Sequence, residues 1–590
     1  MGLFILEPKS AAHVPGTVLL DQQAAHSEAV TARLKHGRGT NSHIVLAPQP
    51  SEDPNDPLNW SPMKKLRVLV VTYFGVIIHG VVPNPILNAG IVQIATELHR
   101  PVTDIALLSG YELLATGATG PFASAFARKY GKRPAYLLAS IIGTVGVIVG
   151  ETATGYSTLL AARVIQGIAV AAYEALGIAT IGDLYFVHER GYRVAVILFI
   201  LSSCSNFVSI VAGVITTNLG WHYNFHLMLP FAALQTVLFV LFAPETMFRR
   251  KPIYDLDTVG SSEDLQQLAE KEAKAQRSAR HVEKTGLHDP EDQDTTTTAT
   301  NPTTNTSTAV ETETEKTLTH TTTIESIQPK KTWLQEMAVY NGSFVDDSML
   351  KMVVACVAIL FNVGAFWQTV STGLVTAWYV AVAILSGVLF AGPPYLLSSA
   401  EIGYTSVGPF IGGLLGSTVC FVISSPLLKW LTRRNKGIYE PEFCLVPVIP
   451  GALVAIAGFL GLGYSLQNQQ NVYVVCFTWG VILFGITFIV TFASQYTLDA
   501  FRNNSTEIFI MNMVFKNFFF YGLTNYIIQW YTSGGPVQVF GTLSGITAFV
   551  CLLLIPLYVY GKRYRSFWHH YNMLRILRLE TDHLGADGGH

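Results

Sequence analysis

Charge is what this sequence has least of. Asp, Glu, Lys and Arg make up 13% of 590 residues, about half the roughly 25% of ordinary soluble domains, too few to cover a water-facing surface on so long a chain. Neither sign dominates: 38 basic side chains stand against 40 acidic ones, a net −2, which excludes a global field that would draw in nucleic acid. The six cysteines, Cys204, Cys356, Cys420, Cys444, Cys476 and Cys551, lie in or beside apolar segments and form neither a Cys-x-x-Cys pair nor a metal-ligand spacing. They read as small core hydrophobes, and no metal is expected. There is no Walker phosphate loop, no His-Glu-x-x-His and no dinucleotide glycine fingerprint. No cofactor is expected, no nucleotide engine is encoded, and no nucleophile–base pair at a known spacing supports an enzyme. The N-terminus lacks a basic-then-apolar signal pattern, and position 6 is Leu where a myristoylation site needs Ser or Thr. The first apolar span is therefore expected to act as its own insertion signal.

What is abundant is apolar length. Hydrophobic residues are 50% of the chain, and a hydrocarbon core about 30 Å thick takes roughly 20 residues of helix. Spans fall near 66–88, 104–127, 134–153, 158–183, 194–217 and 226–246, then, after a long break, near 366–390, 404–427, 443–463, 471–493, 507–530 and 537–560. The expectation is an all-α integral membrane protein of twelve transmembrane helices in two pseudo-symmetric six-helix bundles. The apolar run 352–391 is long enough for one helix with an interfacial lead-in or for two short ones. Loop charge chooses one crossing. Only then do the clusters Arg128-Lys129-Lys132-Arg133, Arg190-Arg193, Lys429-Arg433-Arg434-Lys436 and Lys562-Arg563-Arg565 all fall on the cytoplasmic side, with Arg100 the single basic residue outside.

The boundaries that follow are a cytoplasmic tail 1–63, a six-helix bundle 64–247, a cytoplasmic linker 248–345, a second bundle 346–561 and a cytoplasmic tail 562–590. Sixteen of the 29 residues from 295 to 323 are Thr. Such a segment has too little apolar area to offset its ordering entropy, so it reads as disordered, with a short charged helix around 262–280. The sequons at Asn305, Asn341, Asn503 and Asn504 fall on the cytoplasmic side, out of reach of glycosyl transfer. Two bundles joined by a polar linker imply a carrier, driven by an ion gradient, that rocks around a central site near the membrane midplane.

Particular residues then make the class recognisable. They are Asp53-Pro54-Asn55-Asp56-Pro57-Leu58-Asn59-Trp60 before span 1, Arg128-Lys129-Tyr130-Gly131-Lys132-Arg133 between spans 2 and 3, and Arg163-Val164-Ile165-Gln166-Gly167 in span 4. Gly182-Asp183, His188-Glu189-Arg190-Gly191, Pro244-Glu245-Thr246, Arg433-Arg434-Asn435-Lys436-Gly437, Glu440-Pro441-Glu442 and Lys516-Asn517 follow in order. In these the chain resembles the major facilitator superfamily, and within it the fungal twelve-span drug:proton antiporters. The resemblance covers about 1–250 and 335–570. It implies a monomeric proton-coupled exporter of a small organic compound, a toxic chemical or a secondary metabolite, in the plasma membrane. Two departures stand out. The loop between spans 2 and 3 carries Arg128 where the superfamily usually has Asp, and the span 5 antiporter element reads Ser209-Ile210-Val211-Ala212-Gly213 without its usual Gly-Pro. Proton-coupled uptake of organic cations or polyamines, and a sensor with a transporter fold, are the alternatives.

A charge at mid-bilayer costs about 2.5–3.5 kcal/mol on insertion scales, so each one needs a partner or a water-filled cavity. Arg163 and Glu174 are eleven residues apart in span 4, about three turns and roughly 16 Å, so they share a face with Gly167 and Val170, expected to line the cavity, but cannot pair. Glu174 reads as a proton carrier, a cation-binding carboxylate that with Glu112 motivates the cation-uptake alternative, or a structural hydrogen-bond group, and Arg163 as a coupling residue or a packing hub. Glu112 in span 2 and Lys516 in span 11 sit at similar depths, about 12 and 13 Å from their respective ends. Because the resemblance brings those helices together, Glu112 and Lys516 are expected to form a buried pair or to share a substrate charge, with separate satisfaction of each by backbone or water as the alternative. His79 is a candidate proton switch, with a structural histidine as the alternative. Asn84, Asn88, Gln368, Trp378, Tyr379, Asn512, Tyr521 and Asn525 are candidates to line the substrate cavity. Ser205, Ser209 and Gly213 in span 5 and Gly408, Gly412 and Gly416 in span 8 form small-residue stripes. They are read as the sliding contact between halves, or as static packing on another helix. Arg128, Lys129, Lys132 and Arg133 are placed to latch on helix ends, Asp183 or Glu189, or serve topology alone. Glu245, Glu440 and Glu442 are further partners for the basic loops.

Overall fold

The structure is a computed structural model that describes residues 4–7, 14, 17–19, 50, 51, 53–248, 329–345, 347–436, 438–501, 504–577 and 579. The disorder expected for the Thr-rich stretch and the helix expected around 262–280 lie outside the described residues.

The motif before the first span is a self-capped turn. Asp56 accepts from Leu58 N at 3.0 Å and from Ser51 Oγ at 2.9 Å, Asp53 accepts from Asn55 N at 2.7 Å, and Asn59 donates to the carbonyls of Ser51 and Asp53. Its buried Leu58 accepts from Lys65 Nζ through its carbonyl. Ser61 then caps α1 (Pro62–Gly75), with Pro62 in the first turn where its missing N–H costs nothing. Helix α1 continues as a π turn, Val76–Val81, and stops short of residue 88 because Pro83 and Pro85 lack donors and disfavour helical geometry in the residues before them. The rest of the first half is α2 (Val102–Tyr130), α3 (Lys132–Glu151), α4 (Tyr156–Leu184), α5 (Val187–Phe199 and Ser205–Leu219, joined by a π turn) and α6 (His222–Phe242).

A short helix, Met349–Ala358, leads into the second half and ends at Asn362, which caps α7 (Val363–Ala391) by accepting from Ala365 N at 3.1 Å. The 352–391 run therefore contains one long helix and a lead-in that packs on α2. Then come α8 (Ser399–Thr405 and Val407–Arg434), α9 (Val448–Gln467), α10 (Val472–Ala500), α11 (Ser505–Thr524) and α12 (Ile527–Leu552, extended by Leu554–His570). Nine of these twelve, all but α1, α2 and α11, are long and apolar enough among the described residues to cross a membrane. Two of the others, α2 and α11, carry Glu112 and Lys516. On α3, Leu138, Ile141, Val145 and Ile148 expose a stripe at helical spacing, as a lipid-facing surface requires.

The halves meet along two seams, α2 on α11 and α5 on α8. The second helix of each half thus faces the fifth of the other, the pattern of a pseudo-twofold. Part of the expected linker also has structure. Trp333–Glu336 is a capped helical turn, Glu336 pairs with Lys64 at 2.7 Å, and Phe344 N donates to Lys129 O at 2.8 Å, so residues 329–345 pack on the first bundle.

Candidate functional site

Two ion pairs sit at membrane depth, and the structure pairs their members differently from the sequence expectation. Glu112 pairs with Arg163 inside the first bundle, both fully buried, and Lys516 of α11 donates to Glu174 of α4 across the bundles. The expected Glu112–Lys516 pair does not form. Its depths were taken from opposite faces of a thin slab, whereas α2 and α4 each run 29 residues, about 43 Å. Counted from the cytoplasmic ends, Glu174 and Lys516 lie about 15 and 16 Å up, and Glu112 about 27 Å.

Arg163 makes the contacts that its packing-hub reading calls for. Besides Glu112 it donates to Pro83 O at 2.7 Å, Gln166 Oε1 at 2.9 Å and Asn84 O at 3.4 Å, tying α4 to α2 and to the turn after α1. The face it shares with Gly167 and Val170 does not line a cavity. Val170 is fully buried, and a side chain at Gly167 would strike the Glu112 carbonyl. Glu174 differs: its side chain is 20% exposed and that of Lys516 18%. Glu174, Ile178 and Gly182, four residues apart on α4, are all partly exposed, while Val170, Gly167 and Arg163 above them are buried. The partly exposed stripe of α4 therefore starts at the Glu174–Lys516 pair, which joins the bundles, and runs to the cytoplasmic end.

Outside, the seams are shut. A side chain at Gly213 would meet Ser399 O at 2.5 Å and one at Gly403 would meet Ser209 O at 2.8 Å, Ala400 N donates to Thr217 Oγ1 at 2.7 Å, and the Tyr111 and Tyr521 rings lie 5.3 Å apart. Asn88 belongs to this closure, its carbonyl packing against Gly387. Asn84 sits in the proline-bounded turn, and Asn525 is exposed beyond α11, bonded to Tyr521 O at 2.8 Å. None of these three asparagines lines a central cavity here. Tyr379 donates to Asn206 of α5 across the bundles, Asn512 accepts from Thr372 Oγ1 at 3.0 Å, and Trp378 packs edge-on against Phe519 at 5.2 Å. Gln368 is fully buried in α7. His79 turns into the first bundle, away from the seam. Its ring stacks on Tyr173 at 5.4 Å and abuts Gly143, and Tyr173 is held by Ser140 and Gln235.

The glycine stripe of α8 is a second correction. Side chains at Gly408 and Gly412 would strike the carbonyls of Cys476 and Gly480, and Gly416 faces Phe484 and Thr487, so the stripe packs on α10 within its own half. The sliding contact to α5 is made instead through Gly403 and through Gly413 against Ser203. Gly412→Leu is therefore expected to lower the yield of folded protein several-fold, through overpacking of about 1–3 kcal/mol or more. Gly213→Leu should leave the yield near wild type but hinder outer closure. Size-exclusion profiles of the two variants check this, and the reverse order would refute the assignment.

At the cytoplasmic ends each basic residue has a distinct partner. Arg128 reaches across to Glu507 in the first turn of α11 at 2.6 Å, and Lys132 pairs with Asp183 at 2.6 Å. Arg133 donates to the carbonyls of Phe239, Val240 and Ala243 at the end of α6, a cationic cap where the helix leaves carbonyls unpaired. Glu245 accepts from the backbone N–H of Lys132 and Arg133 at the start of α3, at 3.1 and 2.9 Å, and burial holds its carboxyl above the ordinary value even against these bonds. Gly131, at φ 106°, is the only residue type that fits beside that carboxylate. Glu440 and Glu442 bind Arg565 in their own half rather than the basic loops of the first bundle. Sequence reasoning missed Glu507, Asn206 and Gly403. Arg128, standing where an acid is usual, was the signal that an acid had to lie elsewhere. Exchanging charges, Arg128→Glu with Glu507→Arg, should recover at least half of the crosslinking between the cytoplasmic ends of α2 and α11 that either single change removes.

The sequence model of the Major Facilitator Superfamily matches residues 69–518, and the chain belongs to that family of membrane transporters. An uncharacterized MFS-type transporter of Schizosaccharomyces pombe is 24% identical over 98% of both chains. The MFS antiporter QDR3 of Candida albicans is 27% identical over 39% of this chain and 32% of its own. Among solved structures, the xylose transporter XylE of E. coli, in a partially occluded inward-open conformation, shares the fold at a TM-score of 0.53 and 12% identity, covering 84% of this chain and 98% of that one.

Proposed function

We propose that this transporter is a proton-coupled antiporter that exports a small, partly apolar organic compound, working as a monomer in the plasma membrane with both termini in the cytoplasm. The observation that carries the reading is the Glu174–Lys516 pair, which joins the two bundles at the head of the cytoplasm-facing stripe. Ionised Glu174 ties α4 to α11 and holds the empty carrier open to the cytoplasm. A substrate that competes for the pair, or a proton on Glu174, releases the tie, so the bundles exchange only when one or the other is aboard. Binding is differential between the two states, as coupling requires. The aromatic rings of Trp378 and Phe519 beside Asn512 suit a compound with an apolar body and a few polar groups. Export rather than uptake is favoured by the partial likeness to an antiporter.

Organic-cation uptake rested on Glu112 and Glu174 as membrane carboxylates, and both now face cations of the chain itself. Metabolite profiling after gene deletion tests the direction. An exporter's compound rises in cells and falls in the medium by several-fold, and the opposite shift would reject export. If reconstituted protein moves no compound from the shifted set under an imposed pH gradient, the sensor reading takes over.

A further inference from the structure

The first residues of the chain are bound to the cytoplasmic end of the second bundle, far along the sequence from anything they precede. Val18–Leu19 (β1) pairs antiparallel with Ile438–Tyr439 (β2) in the loop between α8 and α9, with Val18 opposite Tyr439 and Leu19 opposite Ile438. Ile5 is 1% exposed and inserts between Leu431 and Phe443. Leu6 N donates to Val559 O at 3.0 Å, Arg563 Nε donates to Glu7 O at 2.8 Å, and Glu7 pairs with Lys562 at 2.7 Å. Thr17 Oγ1 donates to Glu440 Oε2 at 2.8 Å, on the same carboxylate that pairs with Lys562 at 2.6 Å and Arg565 at 2.9 Å. Five kinds of contact converge: strand addition, an apolar anchor, an ion pair, backbone bonds and a hydroxyl on a 2%-exposed carboxylate.

We propose that this face is a docking site whose occupant is the chain's own arm, residues 4–7 and 17–19, held by strand addition and gated by the charge at position 17. The arm links the loop after α8 to the cytoplasmic extension of α12, two parts of one bundle. What the arm adds is rigidity to the second bundle's cytoplasmic end, where it completes the shell around Glu440 and Lys562. Glu440 already accepts from two cations and one hydroxyl. A negative charge at Thr17 would put two anions in contact there and release the arm.

The test is a benzophenone amino acid at Leu19 in the full-length protein in native membranes, with protease sites placed in 20–49 and in 250–328 so that arm, first bundle and second bundle separate after irradiation. Most of the crosslinked arm should travel with the second-bundle fragment. Thr17→Asp and Glu7→Lys should each cut that product at least fivefold, and Thr17→Ser should restore it. Crosslinking mainly to the first bundle, or a second-bundle product indifferent to Thr17→Asp and Glu7→Lys, would overturn the proposal.

Discussion

Replacing Lys516 with methionine is expected to shift the resting protein away from its cytoplasm-open state by roughly tenfold to a hundredfold. Exposed pairs contribute about 0–1 kcal/mol and loss of one partner of a buried pair about 3–5 kcal/mol. With side chains about one-fifth exposed, the Glu174–Lys516 tie falls between these limits, near 2 kcal/mol. Glu174→Gln, a stand-in for the protonated carboxyl, should act in the same direction. The readout is the rate at which a cysteine at Ile178, on the accessible stripe of α4, reacts with an impermeant maleimide offered from the cytoplasmic side. Both single variants should react more slowly than wild type, and the exchange Glu174→Lys with Lys516→Glu should regain most of the rate. Both single variants should also let the empty carrier return and so lose accumulation against a gradient. Equal labelling rates in all four proteins would separate the pair from the conformational equilibrium.

The second large effect concerns folding rather than coupling. Arg163→Met leaves Glu112 buried without its cation, a loss of about 3–5 kcal/mol, because the pair is fully enclosed and the same arginine holds the carbonyls of Pro83 and Asn84. Folded yield should drop at least tenfold. The double change Arg163→Met with Glu112→Leu removes the stranded charge and should recover a large part of the yield, while the lost bonds to Pro83 and Asn84 keep it below wild type. If the double variant fares no better than Arg163→Met, the pair is not what holds α2 to α4.

The architecture was legible in the sequence because apolar length and loop charge are one-dimensional signals. The twelve helices and the break between halves follow from counting residues against a hydrocarbon slab, and loop charge chooses between one helix and two in 352–391. The site was only half legible. Glu112, Arg163, Glu174 and Lys516 stood out because charges inside apolar spans are costly, but who pairs with whom depends on helix length beyond the slab and on relative height, which apolar runs do not reveal. The stripe Gly408, Gly412 and Gly416 announced close packing without naming its neighbour, since α5 and α10 flank α8 on different faces. Gln368 read as a cavity residue and His79 as a proton switch because helical phase alone does not separate the inside of a bundle from the seam between bundles. The docking of residues 4–7 and 17–19 had no signal short enough to see, for its partners lie more than 400 positions away, as Thr17 and Glu440 show.

The account turns on one claim, that the charge on Glu174 decides which side of the carrier is open. Spin labels at Asn218 and Asn525, exposed at the outer ends of α5 and α11 in opposite bundles, report that opening directly by pulsed dipolar spectroscopy. The account predicts a single short distance in the wild type and a second, longer distance in Glu174→Gln. One unchanged distance distribution in both proteins would contradict it.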